Sequence, residues 1–80
     1  MFINKTADGC NNLCGKNLSA WRTAQNLSQR ALADKLQVAG LDIDKNAVQR
    51  IESGKRFVTD IELRTFSTVT GLSLDELLNE

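Results

Sequence analysis

Residues 27–56, LSQRALADKLQVAGLDIDKNAVQRIESGKR, constrain this chain more than any other stretch. They spell two short amphipathic helices in tandem, each opened by a small polar cap and closed by glycine. Ser28 is a natural N-cap, and Leu27 before it can pack back onto Ala31 or Leu32 as a hydrophobic staple. Leu32, Ala33 and Leu36 fall on one helical face, with Ala33 small enough for a close helix crossing. Val38 and Ala39 extend this helix and Gly40 stops it, which predicts a helix over 29–39. Asp44 caps the next, predicted over 45–53. Its Val48 and Ile51 point inward, while Lys45, Asn46, Gln49 and Arg50 are left on the outer face near its start. Ser53-Gly54 ends it, with Gly54 in the left-handed position. Between the two helices, apolar Leu41 and Ile43 predict a turn that packs on the body.

The flanks continue the helical pattern. The chain has no proline and only five glycines, so long helices meet few breakers. Asn11 or Asn12 suits a helix start. Cys14, Leu18, Trp21 and Gln25 recur at helical spacing, which predicts a first helix over 12–25 with Trp21 as a core anchor. Asn26 tolerates the left-handed conformation that stops it. Thr59 and Glu62 form a capping-box pair ahead of a helix over 60–70, whose Leu63, Phe66 and Val69 repeat every three residues. Gly71 ends that helix, and Ser73 with Glu76 opens a last one over 74–78, carrying Leu74, Leu77 and Leu78. The expected architecture is all-α: a compact five-helix bundle over residues 11–80, preceded by a flexible N-terminal arm over 1–10. Eighty residues supply one small core and marginal stability.

Formal net charge is zero, unlike the basic balance of most nucleic-acid-binding domains. The distribution is asymmetric. Residues 1–56 hold nine Lys/Arg against five Asp/Glu, and residues 57–80 hold Arg64 against five acids. A positive end can steer a protein toward a polyanion even when total charge vanishes. The two cysteines, Cys10 and Cys14, form a CxxxC with no histidine in the chain, short of the four ligands a structural zinc needs. Cys14, four residues before Leu18, reads as a small apolar core residue. No cofactor, metal site or small-molecule ligand is expected. The carboxylates lie at helix starts where capping explains them, and no nucleophile sits beside a base, so an enzyme is not expected. No apolar run approaches the roughly 20 residues of a membrane helix, and residues 1–10 lack a signal peptide's apolar stretch. A cytoplasmic location follows as an expectation.

LSAWRTAQNLSQRALADKL, then NAVQRIESGKR, then the ending TGLSLDELL, in this order and spacing, resemble the phage-repressor and Cro type of helix-turn-helix, the xenobiotic-response-element family. The resemblance spans Leu18 to Leu78. It implies a five-helix domain, lambda-repressor-like, that binds duplex DNA as a homodimer and regulates transcription. One departure stands out: seven residues, QVAGLDI, separate Leu36 from Asp44, where the family uses a shorter glycine-centred turn.

Residue types agree with that implication. A major groove admits one α-helix, and arginine bonds guanine, or glutamine and asparagine bond adenine, at two points. Lys45, Asn46, Gln49 and Arg50 are therefore the expected base readers. The resemblance places Gln29 on the DNA backbone, beside a helix N-terminus that attracts anions, and makes Ser53, Lys55 and Arg56 a second phosphate cluster, with Ser28 adding a contact beside its cap. It also pairs Arg22 with Glu52 as a structural ion pair. The expected function is sequence-specific double-stranded DNA binding by a transcriptional repressor that inserts helix 45–53 into the major groove. The alternative is a protein-interaction module on the same fold, an antitoxin or anti-regulator with no DNA role, favoured by the neutral charge and the apolar turn. The C-terminal leucines 74, 77 and 78 are either a dimer surface or part of the core.

Overall fold

The computed structural model describes residues 5–79. Among them are five α-helices and no strand: α1 Cys14–Ala24, α2 Gln29–Val38, α3 Lys45–Glu52, α4 Asp60–Thr70 and α5 Leu74–Leu78. The two capping boxes set α4 and α5. Thr59 Oγ1 accepts from the Glu62 N–H at 3.2 Å while the Glu62 carboxylate accepts from the Thr59 N–H at 3.0 Å. Ser73 and Glu76 repeat this reciprocal pair at 3.1 and 3.0 Å. Each pair satisfies N–H groups that a helix start leaves unbonded.

Helix 1 is shorter than the expected 12–25. Leu13 already has helical dihedrals, but the capping is done one residue earlier: Asn12 Oδ1 accepts from the Gly15 N–H at 2.8 Å. At the other end Asn26 adopts φ 57°, and the Leu27 N–H donates to the Arg22 carbonyl at 3.1 Å, which closes the helix by a left-handed cap. Helices 2 and 3 each stop one residue before their expected last residue.

The long connection between α2 and α3 is shared between helix and turn. Helix 2 runs through Val38, taking up part of QVAGLDI. Gly40 then turns the chain at φ 98°, and the Leu41 N–H donates back to the Leu36 carbonyl at 2.9 Å. The Ile43 N–H donates to the Leu41 carbonyl at 2.9 Å, and Asp44 is extended as the next cap. Gln37 Nε2 donates to the Ile43 carbonyl at 2.9 Å, and Ile43 is buried. The connection is thus anchored to the core by its own apolar residue.

The core is one cluster: Cys14, Leu18, Leu32, Ala33, Leu36, Ile43, Val48, Ile51, Phe66 and Leu77, with Trp21 and Leu63 packed half-buried at its edge. Every helix contributes to it, and burial of this apolar set is what orders five short helices that would each be marginal alone. Of the C-terminal leucines, one joins the core. Leu77 is fully buried, while Leu74 and Leu78 are exposed.

Residues 5–10, part of the expected arm, form a hydrogen-bonded turn. The Thr6 N–H donates to the Cys10 carbonyl at 2.8 Å and the Gly9 N–H to the Thr6 carbonyl at 2.9 Å, and the Asn11 N–H reaches the Gly54 carbonyl at 2.7 Å. The turn's own bonds are local, and Asn11 ties its end to Gly54, far along the chain. The first four residues of the expected arm lie outside the described residues.

Candidate nucleic-acid interface

Helix 3 is gripped on its inner face and free on its outer one. The Asp44 carboxylate accepts from the Ala47 N–H at 2.8 Å and fixes its start. Val48 and Ile51 are fully buried. Lys45, Asn46, Gln49 and Arg50 are all exposed, and none of the four makes a side-chain hydrogen bond or ion pair among the described residues. Helical spacing places these four away from the Val48–Ile51 stripe. Neither cation of the set is paired with a described carboxylate of the acidic residues 57–80; the cation that is so paired is Arg56.

Two neighbours immobilise this helix. Helix 1 comes so close that Gly15 leaves no room for a side chain: a Cβ there would collide with the Ile51 carbonyl oxygen and would lie 2.8 Å from Asn12 Oδ1. The same pair of helices is joined by a two-pronged ion pair. Arg22 Nε meets Glu52 Oε2 at 2.7 Å and Arg22 Nη2 meets Glu52 Oε1 at 3.0 Å. Arg22 Nη1 also donates to the Leu27 carbonyl at 2.7 Å. The pair is largely covered, with side chains 17% and 6% exposed. The bonded Glu52 carboxylate raises the Arg22 pKa further above its already high value.

Helix 2 joins through the same carboxylate. Gln29 Nε2 donates to Glu52 Oε1 at 3.0 Å, so the first residue of α2 is tied to the last residue of α3. One amide hydrogen of Gln29 is used in this way, and its amide oxygen stays unbonded among the described residues. Ser28 Oγ accepts from the Ala31 N–H at 3.0 Å, the expected cap. Beyond α3, Ser53 Oγ donates to the Arg50 carbonyl at 3.1 Å, and Ser53 and Lys55 are exposed.

Arg56 behaves differently from the rest of its cluster. Its Nη2 meets Glu62 Oε2 at 3.0 Å, with the Arg56 side chain 31% exposed. Its Nη1 is buried with no partner atom among the described residues. This cation is turned back onto the first turn of α4, because Glu62 is already held there by its capping box. Burial alone would raise the Glu62 carboxyl, but the Thr59 N–H and the Arg56 guanidinium outweigh it and hold the group below its ordinary 4.5. A lowered native value stabilises the fold above the unfolded value and loses that stabilisation as pH falls through the native one. Thermal melts followed by circular dichroism should therefore change little between neutral pH and 4.5, then fall below it. Glu62→Gln should flatten that acid limb and lower the melting temperature at neutral pH.

The cysteines sit apart from this face. Cys14 is buried, and desolvation pushes its thiol up to about 11, which keeps it neutral and unreactive at physiological pH. Cys10 is half-buried and packs over Gly54, where an added Cβ would lie 2.6 Å from its sulfur.

Comparison with known proteins agrees with this arrangement. The helix-turn-helix family model matches residues 18–77. The chain belongs to the Cro/C1-type helix-turn-helix family. A solved structure, the restriction-modification controller protein C.AhdI from Aeromonas hydrophila, is similar to this helix-turn-helix protein at 33% identity and TM-score 0.63, over 79% of this chain and 84% of that one. Among curated proteins there is no significant match. Family membership makes the helix-turn-helix protein a DNA-binding regulator of transcription. No helix among its described residues is long and apolar enough to cross a membrane.

Two functional candidates escape sequence reasoning about this helix-turn-helix protein. Asn11 and Asn12 bond the exit of α3, and both precede the family-matched stretch. The signal available in the sequence was a pair of adjacent asparagines before a helix, which reads as capping and nothing more.

Proposed function

We propose that the protein binds double-stranded DNA sequence-specifically as a homodimer and represses transcription in the cytoplasm. Helix 3 lies in the major groove, with Lys45, Asn46, Gln49 and Arg50 facing base edges. Ser28, Gln29, Ser53 and Lys55 hold the phosphates on either side. Arg56, occupied by Glu62, contributes to the loop's shape more than to direct contact. One observation carries this reading: four side chains able to read bases share the free face of a helix whose other face is locked to the core. A helix-turn-helix monomer covers one half-site, and two half-sites about 34 Å apart need a two-fold pair. The exposed Phe57, Ile61, Leu74 and Leu78 lie on the segments after α3 and would serve that pairing.

The test is a fluorescence-anisotropy titration at two salt concentrations, against sequences first enriched from a random duplex pool. Arg50→Ala should weaken binding to the enriched sequence by about 1–3 kcal/mol and relax preference at one base pair per half-site. Lys55→Ala should weaken binding to all duplexes alike and lower the salt slope by about one unit per half-site. If the wild-type protein shows no binding even at low salt, the interaction-module reading takes its place.

A further inference from the structure

Five hydrogen bonds tie the segment before α1 to the exit of α3 and to α1 itself. The Asn11 N–H donates to the Gly54 carbonyl at 2.7 Å, and Asn11 Nδ2 donates to the Lys55 carbonyl at 2.9 Å. Asn12 Nδ2 donates to the Ile51 carbonyl at 3.1 Å and to the Arg56 carbonyl at 2.7 Å. The fifth, from the Gly15 N–H to Asn12 Oδ1, links the same amide to α1. Both side-chain amides are themselves oriented. Lys5 Nζ donates to Asn11 Oδ1 at 2.9 Å, and the Gly15 bond holds the oxygen of Asn12. With their acceptor ends occupied, both amides aim their donors at the chain that leaves α3.

We propose that Asn11 and Asn12 are positioning residues for DNA binding, which set the 53–56 loop in shape before a duplex arrives. This inference rests on the reading of Ser53 and Lys55 as phosphate contacts. The end of a helix exposes carbonyls carrying partial negative charge, which a phosphate would avoid. The asparagine amides engage the carbonyls of residues 51, 55 and 56 and the Asn11 N–H that of residue 54, while Ser53 and Lys55 stay exposed. A loop already ordered pays no ordering entropy on binding. The donors Asn11 and Asn12 lie outside residues 18–77, the stretch that the helix-turn-helix family model matches, while the carbonyls they hold lie inside it.

A double-mutant cycle on the full chain separates positioning from general stability. The probe is a fluorescein-labelled mixed-sequence duplex of about 24 base pairs, room for two half-sites one helical turn apart. Asn11→Ala keeps the main-chain bond to Gly54 and loses only the side-chain bonds, on a partly exposed residue, so the variant should fold; a thermal melt confirms it. Affinity should fall about fivefold, the scale of ordering one or two side chains. It should fall by the same factor for every duplex, whereas Arg50→Ala changes base preference. In a Lys55→Ala background the same substitution should cost less than about twofold, because the contact it positions is already gone. Losses that multiply in the double variant, or an Asn11→Ala protein that binds as wild type, would overturn the proposal and leave the DNA reading standing. A Lys55→Ala protein that binds as wild type would overturn the proposal together with the phosphate contact it rests on, and a wild-type protein that binds no duplex would overturn the DNA reading itself.

Discussion

Replacing Gly15 by alanine is expected to destabilise the protein by about 3 kcal/mol, the upper end of what an overpacked site costs. In a domain of this size that loss lowers the melting temperature by about 15 °C or more. The sign is opposite to the usual one, since glycine to alanine inside a helix ordinarily gains about 0.5–1 kcal/mol. The reversal comes from contact with backbone. The new Cβ would meet the Ile51 carbonyl oxygen of α3, and a carbonyl at the end of a packed helix cannot rotate aside as a flexible side chain can. Gly71→Ala is the natural comparison. Gly71 has φ 78° and a Cβ added there would meet nothing within 4 Å, so its cost is the left-handed conformation alone, about 1–2 kcal/mol. Melting curves should rank wild type above Gly71→Ala, and Gly71→Ala above Gly15→Ala. A Gly15→Ala protein as stable as wild type would mean that α1 and α3 do not approach as closely as described.

Glu52→Ala is expected to be the second large loss, about 3 kcal/mol, near the lower end for breaking a covered ion pair by removing one partner. Its carboxylate serves three donors at once: Arg22 Nε, Arg22 Nη2 and Gln29 Nε2. Removing it leaves the Arg22 guanidinium at a helix crossing with only the Leu27 carbonyl as a partner among the described residues, and an unpaired charge there costs far more than the pair contributes. The paired replacement Arg22→Met with Glu52→Leu should recover most of the loss, because apolar side chains of similar size often match a covered ion pair in stability. Urea titrations of the single and paired variants measure this directly. DNA binding should respond differently. Gln29 loses its tether in either variant, so the paired replacement should regain stability without regaining full affinity.

The sequence shows best what local chemistry decides. Helices 4 and 5 begin and end where expected because Thr59 with Glu62, and Ser73 with Glu76, close their capping boxes within four residues, and Gly71 stops α4 by its backbone freedom. The outward set on α3 was equally legible, since Val48 and Ile51 define the buried stripe and the spacing of the others follows from helix geometry. What escaped depends on partners far along the chain. Asn11 and Asn12 look like cap residues, and only the fold brings Lys55 and Arg56 to them. Arg56 looks like its neighbour Lys55 in the sequence, and only the placement of α4 turns it toward Glu62. Of the seven residues between Leu36 and Asp44, the sequence assigns three to the helix, through Ala39, and the structure assigns two, through Val38. Burial of Ile43 anchors the rest of the connection to the core.

The most direct measurement is a set of amide chemical-shift perturbations recorded by NMR while the enriched duplex is titrated into the labelled protein. The largest shifts should fall on Lys45, Asn46, Gln49 and Arg50, with a second group at Gln29, Ser53 and Lys55, and little change along α4 and α5. Perturbations confined to α4 and α5, with the outer face of α3 unmoved, would contradict the account.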